Sequence, residues 1–153
     1  MRIAIGSDHR GVRIKNRLLS LLAADHHQVR DVGTHSDDAV DYPDYARQVA
    51  ELVAAGDVDR GILICGTGIG MAITANKFAG VRAATCDDEV TAEICRRHND
   101  VNVLCLAGDL IGDRPVDDIV RIWLAAEFDG GRHLRRLEKI HTLEQTPNLG
   151  QKP

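Results

Sequence analysis

Short apolar runs rich in β-branched residues alternate along this chain with longer segments of helical period, and that alternation limits the fold more than any other feature. A strand buried on both faces reads as a nearly continuous apolar run, whereas a covering helix repeats its apolar residues every third or fourth position. Five runs qualify as strands, roughly Arg2 to Gly6, Gln28 to Val32, Gly61 to Gly66, Arg82 to Cys86 and Asn102 to Ala107. Helices are expected near Val12 to Ala24, Asp44 to Ala55, Ile69 to Lys77, Glu89 to His98 and Val116 to Glu127, with another from Arg132 to Glu144 after Gly130-Gly131. Regular β-α alternation predicts an α/β fold: a three-layer αβα Rossmann-like sandwich, with a five-stranded parallel sheet and an extra C-terminal helix. Pro43 and Pro115 fall at helix starts, where a missing N–H costs little, and Gly56 and Gly80 fall near helix ends.

The chain has 153 residues, 44% of them hydrophobic, which is enough for one core and too little for two ordinary domains. One domain is expected over residues 1–145, followed by a polar tail, 146–153, read as disordered. No stretch approaches the roughly 20 apolar residues that cross a bilayer, and Met1 to Gly6 runs into a strand pattern instead of a signal peptide. Cys65, Cys86, Cys95 and Cys105 form no Cys-x-x-Cys pair, which suits a reduced, cytoplasmic setting and offers no zinc site. A net charge of −4 and few aromatic residues argue against a nucleic-acid partner.

Ligands of parallel sheets bind beyond the carboxyl ends of the strands, and here those ends are polar. The first strand runs into Ser7-Asp8-His9-Arg10-Gly11, the third into Cys65-Gly66-Thr67-Gly68-Ile69-Gly70 and the fourth into Cys86-Asp87-Asp88. Three alternate glycines at a helix start let main-chain N–H groups face an anion, and a cysteine at that lip has its thiolate favoured. Cys65 is therefore read as functional, and Cys86, Cys95 and Cys105 as small buried hydrophobes. A dinucleotide site is the rival reading, with Asp87-Asp88 placed to hold a ribose, but its third glycine position falls on Met71. A P-loop is excluded because no Gly-Lys-Ser/Thr is present. His9 and His98 stand beside polar residues at element ends, whereas His26, His27, His35 and His141 read as solvent-facing. Arg132 and Arg136 share one helix face and, with His133, form a local basic cluster able to grip a phosphate.

Together these pieces resemble the ribose-5-phosphate isomerase B family and the galactose-6-phosphate isomerase subunits related to it. The matching residues are Gly6-Ser7-Asp8-His9-x-Gly11, Asp41-Tyr42-Pro43, Cys65 to Gly70, Ala75-Asn76-Lys77, His98-Asn99-Asp100-x-Asn102-Val103-Leu104 and Gly130-Gly131-Arg132-His133-x-x-Arg136. The resemblance implies an aldose–ketose isomerase acting on a small phosphorylated sugar, ribose 5-phosphate first, with no metal and no cofactor. It implies Cys65 as the base and the N–H groups of Gly66, Gly68 and Gly70 as holders of a cis-enediolate. His98 would open the sugar ring, and Asp8, Thr67, Tyr42 and Asn99 would hold hydroxyls. His9, Arg132 and Arg136, with Arg10 and His133, would take the phosphate. It also implies a homodimer, or a tetramer built from it, in which His98 and Asn99 reach the other subunit's site. Some relatives use a glutamate as base just after the glycine loop, where this chain has Met71.

Relatives commonly carry an arginine where this chain has Asp109, and alanine where it has Arg10. Arg10 is expected either to replace the missing charge or to pair with Asp109 across the dimer. Allose 6-phosphate, galactose 6-phosphate and tetrulose phosphates stay open as substrates. A nucleotide-binding regulatory module and a catalytically silent partner subunit stay open as other functions.

Overall fold

The computed structural model describes residues 1–110 and 115–145, so the tail 146–153 lies outside the described residues. Five strands, β1 (Arg2–Ser7), β2 (Gln28–Asp31), β3 (Arg60–Cys65), β4 (Ala83–Thr85) and β5 (Val103–Ala107), form one wholly parallel sheet in the order β2-β1-β3-β5-β4. The described helices are α1 (Val12–Ala24), α2 (Tyr42–Ala54), α3 (Ile69–Ala75), α4 (Glu89–Asn99), α5 (Val116–Ala125) and α6 (Arg132–Glu144), and a 3₁₀ turn at His9–Gly11 precedes α1. The expected α/β sandwich is therefore the one observed.

Strand side chains alternate between the two faces, and each face has its own core. Ile3, Ile5, Ile62, Ile64, Leu104 and Leu106 point to the side covered by α1, α4 and α5, where Leu18, Leu22, Ile119 and Trp123 are wholly buried. Ala4, Leu63, Cys65, Val103 and Cys105 point to the other side, packing on Val49 and Ala50 of α2 and on Met71 and Ala75 of α3. Lys15 of α1 is also wholly buried, and its ammonium is paired with the Asp31 carboxylate at 2.5 Å, as a buried charge must be.

Several element ends differ by one or two residues from the expectation, and two of these differences have a clear local reason. Helix α2 begins at Tyr42, two residues early, because Asp41 is extended at the N-cap and Pro43 fits the first turn. Strand β4 is only three residues long and lies at the sheet edge. Its exposed edge is satisfied by the Asn76 side-chain amide, which donates to the Ala83 carbonyl at 2.8 Å and accepts the Ala83 N–H at 2.9 Å. Asn76 thus stands in for a missing neighbouring strand.

Strand order reverses between β1 and β3: the chain goes outward on one side to β2 and on the other to β5 and β4. Such a switch point leaves a crevice at the carboxyl ends of the two strands, because their connections leave in opposite directions.

Candidate active site

The crevice is lined by the segments that follow β1 and β3. Asp8 is 5% exposed; its Oδ1 accepts the N–H groups of Arg10 at 2.9 Å and Gly11 at 3.3 Å, which fixes the 3₁₀ turn, and its own N–H donates to the Ile64 carbonyl of β3 at 3.2 Å. Burial raises the Asp8 carboxyl above the usual range, opposed by those two backbone donors and by nearby His9 and Arg10. His9 Nδ1 accepts the Val40 N–H at 3.3 Å, which assigns the ring proton to Nε2 and leaves a donor facing outward. Close packing requires Gly11, where an added Cβ would lie 2.7 Å from the Ile64 carbonyl oxygen.

Cys65 ends β3 and is 5% exposed. Its Sγ accepts the N–H of Gly68 at 3.2 Å, a bond made possible by the left-handed conformation of Gly68 at φ 72°. A main-chain N–H is thereby aimed at the sulfur. Thr67 is exposed, and its hydroxyl accepts the Ile69 N–H at 3.3 Å. Tyr42 lies against Gly70 so closely that an added Cβ would sit 2.6 Å from its ring. The loops after β3 and β5 are joined by N–H donation from Gly108 to the Cys65 carbonyl at 2.7 Å and from Asp109 to the Gly66 carbonyl at 3.1 Å.

Arg10 and Asp109 meet directly above Gly66: the guanidinium contacts the Asp109 carboxylate at 2.5 Å within the same chain. This corrects the expectation of pairing across a dimer. The 3₁₀ turn carries Arg10 over the end of β3, and the turn after β5 brings Asp109 to the same point.

His98 and Asn99 are elsewhere. They end α4, just before β5 begins at Val103, whereas Cys65 is in register with Ala107 at the far end of β5. At roughly 3.3 Å per residue, the four steps from Val103 to Ala107 alone separate the two levels by about 13 Å. His98 instead stacks on His133 of α6, with ring centroids 4.2 Å apart and planes 9° from parallel. Asp129 supports this pair, lying 4.0 Å from His98 Nε2 and held by the Arg97 guanidinium at 3.1 and 3.3 Å. Burial, and then the neighbouring His98, Arg132 and Arg136, lower the His133 imidazole below its ordinary range. Arg132 and Arg136 are exposed on the same helix.

One chain therefore assembles two clusters at opposite ends of the sheet: Asp8, His9, Arg10, Tyr42 and Cys65 to Gly70 at one, and His98, Asn99, Arg132, His133 and Arg136 at the other. Asp129 was missed in the sequence, although an acid directly before Gly130-Gly131 in a basic segment was a usable signal. The ligand atoms of His98, Asp129 and His133 lie within 4.8 Å of one another, a spacing that could hold a metal. Asp129 is already bound to Arg97, however, and His133 Nε2 accepts from Arg132 Nε at 3.3 Å. Of the acidic pair in the rival dinucleotide reading, Asp88 caps α4 by accepting the Thr91 N–H at 2.7 Å, and Met71, which stands where the fingerprint needs its third glycine, is wholly buried.

Residues 3–140 match the ribose/galactose isomerase family. The chain belongs to that family. It is 47% identical to ribose-5-phosphate isomerase B of Escherichia coli over 147 residues, 96% of this chain and 99% of that protein. Its fold is that of the Clostridium thermocellum ribose-5-phosphate isomerase B structure, with TM-score 0.92 and 48% identity over 95% of this chain and 98% of that one. A Mycoplasma genitalium ribose-5-phosphate isomerase B structure with bound ribulose-5-phosphate has TM-score 0.90 and 43% identity, covering 94% of this chain and 96% of that one. The family offers no support for the dinucleotide alternative, and among the described residues no helix is long and apolar enough to cross a membrane.

Proposed function

We propose that this member of the ribose/galactose isomerase family interconverts ribose 5-phosphate and ribulose 5-phosphate as an aldose–ketose isomerase. The observation that carries the reading is the Cys65 sulfur, held at 3.2 Å by the Gly68 N–H inside the β1–β3 crevice. Once the sugar ring is open, the Cys65 thiolate takes the proton from C2 and returns it to C1. The charge that develops on the two oxygens is held by Thr67 and by the N–H groups of Gly66 and Gly70, while the Gly68 N–H stays on the Cys65 sulfur. This stabilises a charge absent from the ground state, which is what raises turnover. Asp8, Tyr42 and Asn99 hold hydroxyls. The phosphate is taken by His9 and Arg10 of one copy and by Arg132, Arg136 and His133 of a second copy, because the two clusters lie at opposite ends of the sheet, and no cofactor is invoked.

His98 opens the ring, and it acts from a second copy of the chain, so the working unit is a homodimer with shared sites. The support is the distance: His98 and Cys65 occupy opposite sheet ends within one protomer. Exposed apolar residues offer a surface for that second copy, with Ile69 at 56% and Ile73 at 58% exposure on α3 and Val90 at 64% on α4.

The test is a panel of aldose and ketose phosphates assayed by hydrogen exchange at C2. Ribose 5-phosphate should give the largest kcat/KM, and Cys65→Ala should lower kcat by about 10²- to 10⁴-fold, the usual worth of a positioned base. Near-full turnover by Cys65→Ala would end the mechanism. A larger or smaller sugar phosphate winning the panel would redirect the substrate, an outcome with a physical basis in the Arg10–Asp109 pair over Gly66.

A further inference from the structure

Cys86 and Cys95 lie against each other on the far side of the sheet from Cys65. Cys86 follows β4 and is 2% exposed, and its thiol faces the Cys95 sulfur of α4 at 3.6 Å. A single buried cysteine is ordinarily inert filler, but two thiols in contact and in unequal surroundings are not. Cys95 is the more accessible, being half-buried in the wall of a cavity of about 560 Å³ between α6 and the β4 edge, beside Arg82, Val101 and Ile140. It is also the sulfur better prepared to carry charge. The Cys86 S–H bond lowers the Cys95 thiol against the cost of burial, helped by the Arg96 charge and by the Trp123 indole. Donating to Cys95 and burial both push the Cys86 thiol up, making it the partner that keeps its proton.

We propose that Cys95 is a modification site for small hydroperoxides, and that Cys86 resolves the oxidised sulfur as a reversible intramolecular disulfide. The Cys95 thiolate attacks the O–O bond: an S–O bond forms, the O–O bond breaks, and the leaving oxide takes a proton to depart as water or an alcohol. The Cys86 sulfur then attacks Cys95, the S–S bond forms, and the S–O bond breaks. The departing hydroxide takes the Cys86 proton and leaves as water. The two sulfurs lose two electrons to the peroxide, and a dithiol reductant returns them. Only Cys95 need meet the oxidant, because Cys86 reaches it from inside the fold.

Closing the 3.6 Å separation to a bond of about 2.05 Å draws α4 toward the loop after β4 by something on the order of 1.5 Å. Cys95 is one helical turn before His98 and Asn99, so the bridge shifts the residues that the isomerase reading takes from α4. This consequence rests on that reading; the chemistry of the dithiol does not.

Both thiols fall in one tryptic peptide, Ala83 to Arg96. Reduced full-length protein exposed to hydrogen peroxide, then alkylated and digested, should give this peptide two hydrogens lighter and without alkyl groups, restored by dithiothreitol. Cys86→Ser should stop at a dimedone-reactive sulfenic acid on Cys95, with Cys86→Ala as a second variant, and Cys95→Ser should leave Cys86 reduced. Both cysteines staying alkylatable at peroxide concentrations that oxidise Cys65, or a sulfenic acid found on Cys86, overturns the site. Turnover measured alongside should fall further, and recover more fully, in the wild type than in Cys86→Ser. Equal losses overturn the coupling through α4, while the mass readout stands whatever reaction the chain catalyses.

Discussion

The charge balance of the crevice is decided by two side chains. Asp109 neutralises Arg10 over Gly66, and the pair is half in solvent, with side-chain exposures of 35% and 56%. Exposed pairs of this kind contribute about 0–1 kcal/mol, so the fold does not depend on it. A phosphate arriving nearby meets an arginine already committed to a carboxylate, and the carboxylate itself repels the dianion. Asp109→Ala should therefore leave the melting temperature nearly unchanged and lower the Michaelis constant for a sugar phosphate several-fold at constant kcat. Steady-state kinetics would show it, and a higher Michaelis constant would remove Arg10 from the phosphate site. The two candidate residues were visible in the sequence, but their pairing within one chain was not, because residues 99 apart meet only through the sheet.

At the scale of elements, the β3–α3 junction sets the chemistry. Strand β3 ends with Cys65 on the face covered by α2 and α3, and three residues later Gly68 turns the chain through φ 72° so that its N–H points back at the sulfur. A side chain at Gly68 meets two penalties: the left-handed conformation costs about 1–2 kcal/mol, and its Cβ would lie 3.1 Å from the Leu106 carbonyl group. Gly68→Ala should thus lower stability by at least about 1 kcal/mol in chemical denaturation and lower kcat far more than it changes the Michaelis constant. Unaltered kcat would show that the Gly68 N–H is not needed at the sulfur. This junction was the most legible part of the site, because alternate glycines weaken any regular element and persist after a strand chiefly where main-chain N–H groups must turn toward an anion. The Asn76 bridge to Ala83 was not, since it depends on β4 lying at the sheet edge.

For the whole molecule, the separation of Cys65 from His98 makes a prediction that a monomeric enzyme does not. Cys65→Ala and His98→Asn should each be nearly inactive alone. Mixed under conditions that exchange subunits, they should recover about one quarter of wild-type turnover, because half of the random dimers carry one intact shared site. No recovery, with exchange shown independently by mass spectrometry, would place both residues in a single protomer's site.

The amino-acid sequence by itself determined the element list, since hydrophobic period, proline position and glycine punctuation act over a few residues at a time. It also marked Asp8, His9, Cys65 to Gly70, His98 and Arg132 to Arg136 as the polar exceptions at element ends. Only the tertiary structure decided the strand order β2-β1-β3-β5-β4, the closure of Arg10 on Asp109, the His98–His133 stack and the contact between Cys86 and Cys95. Each of these joins segments distant in sequence, and such contacts are fixed by how helices and strands pack on a shared sheet, a property that no local window of residues contains.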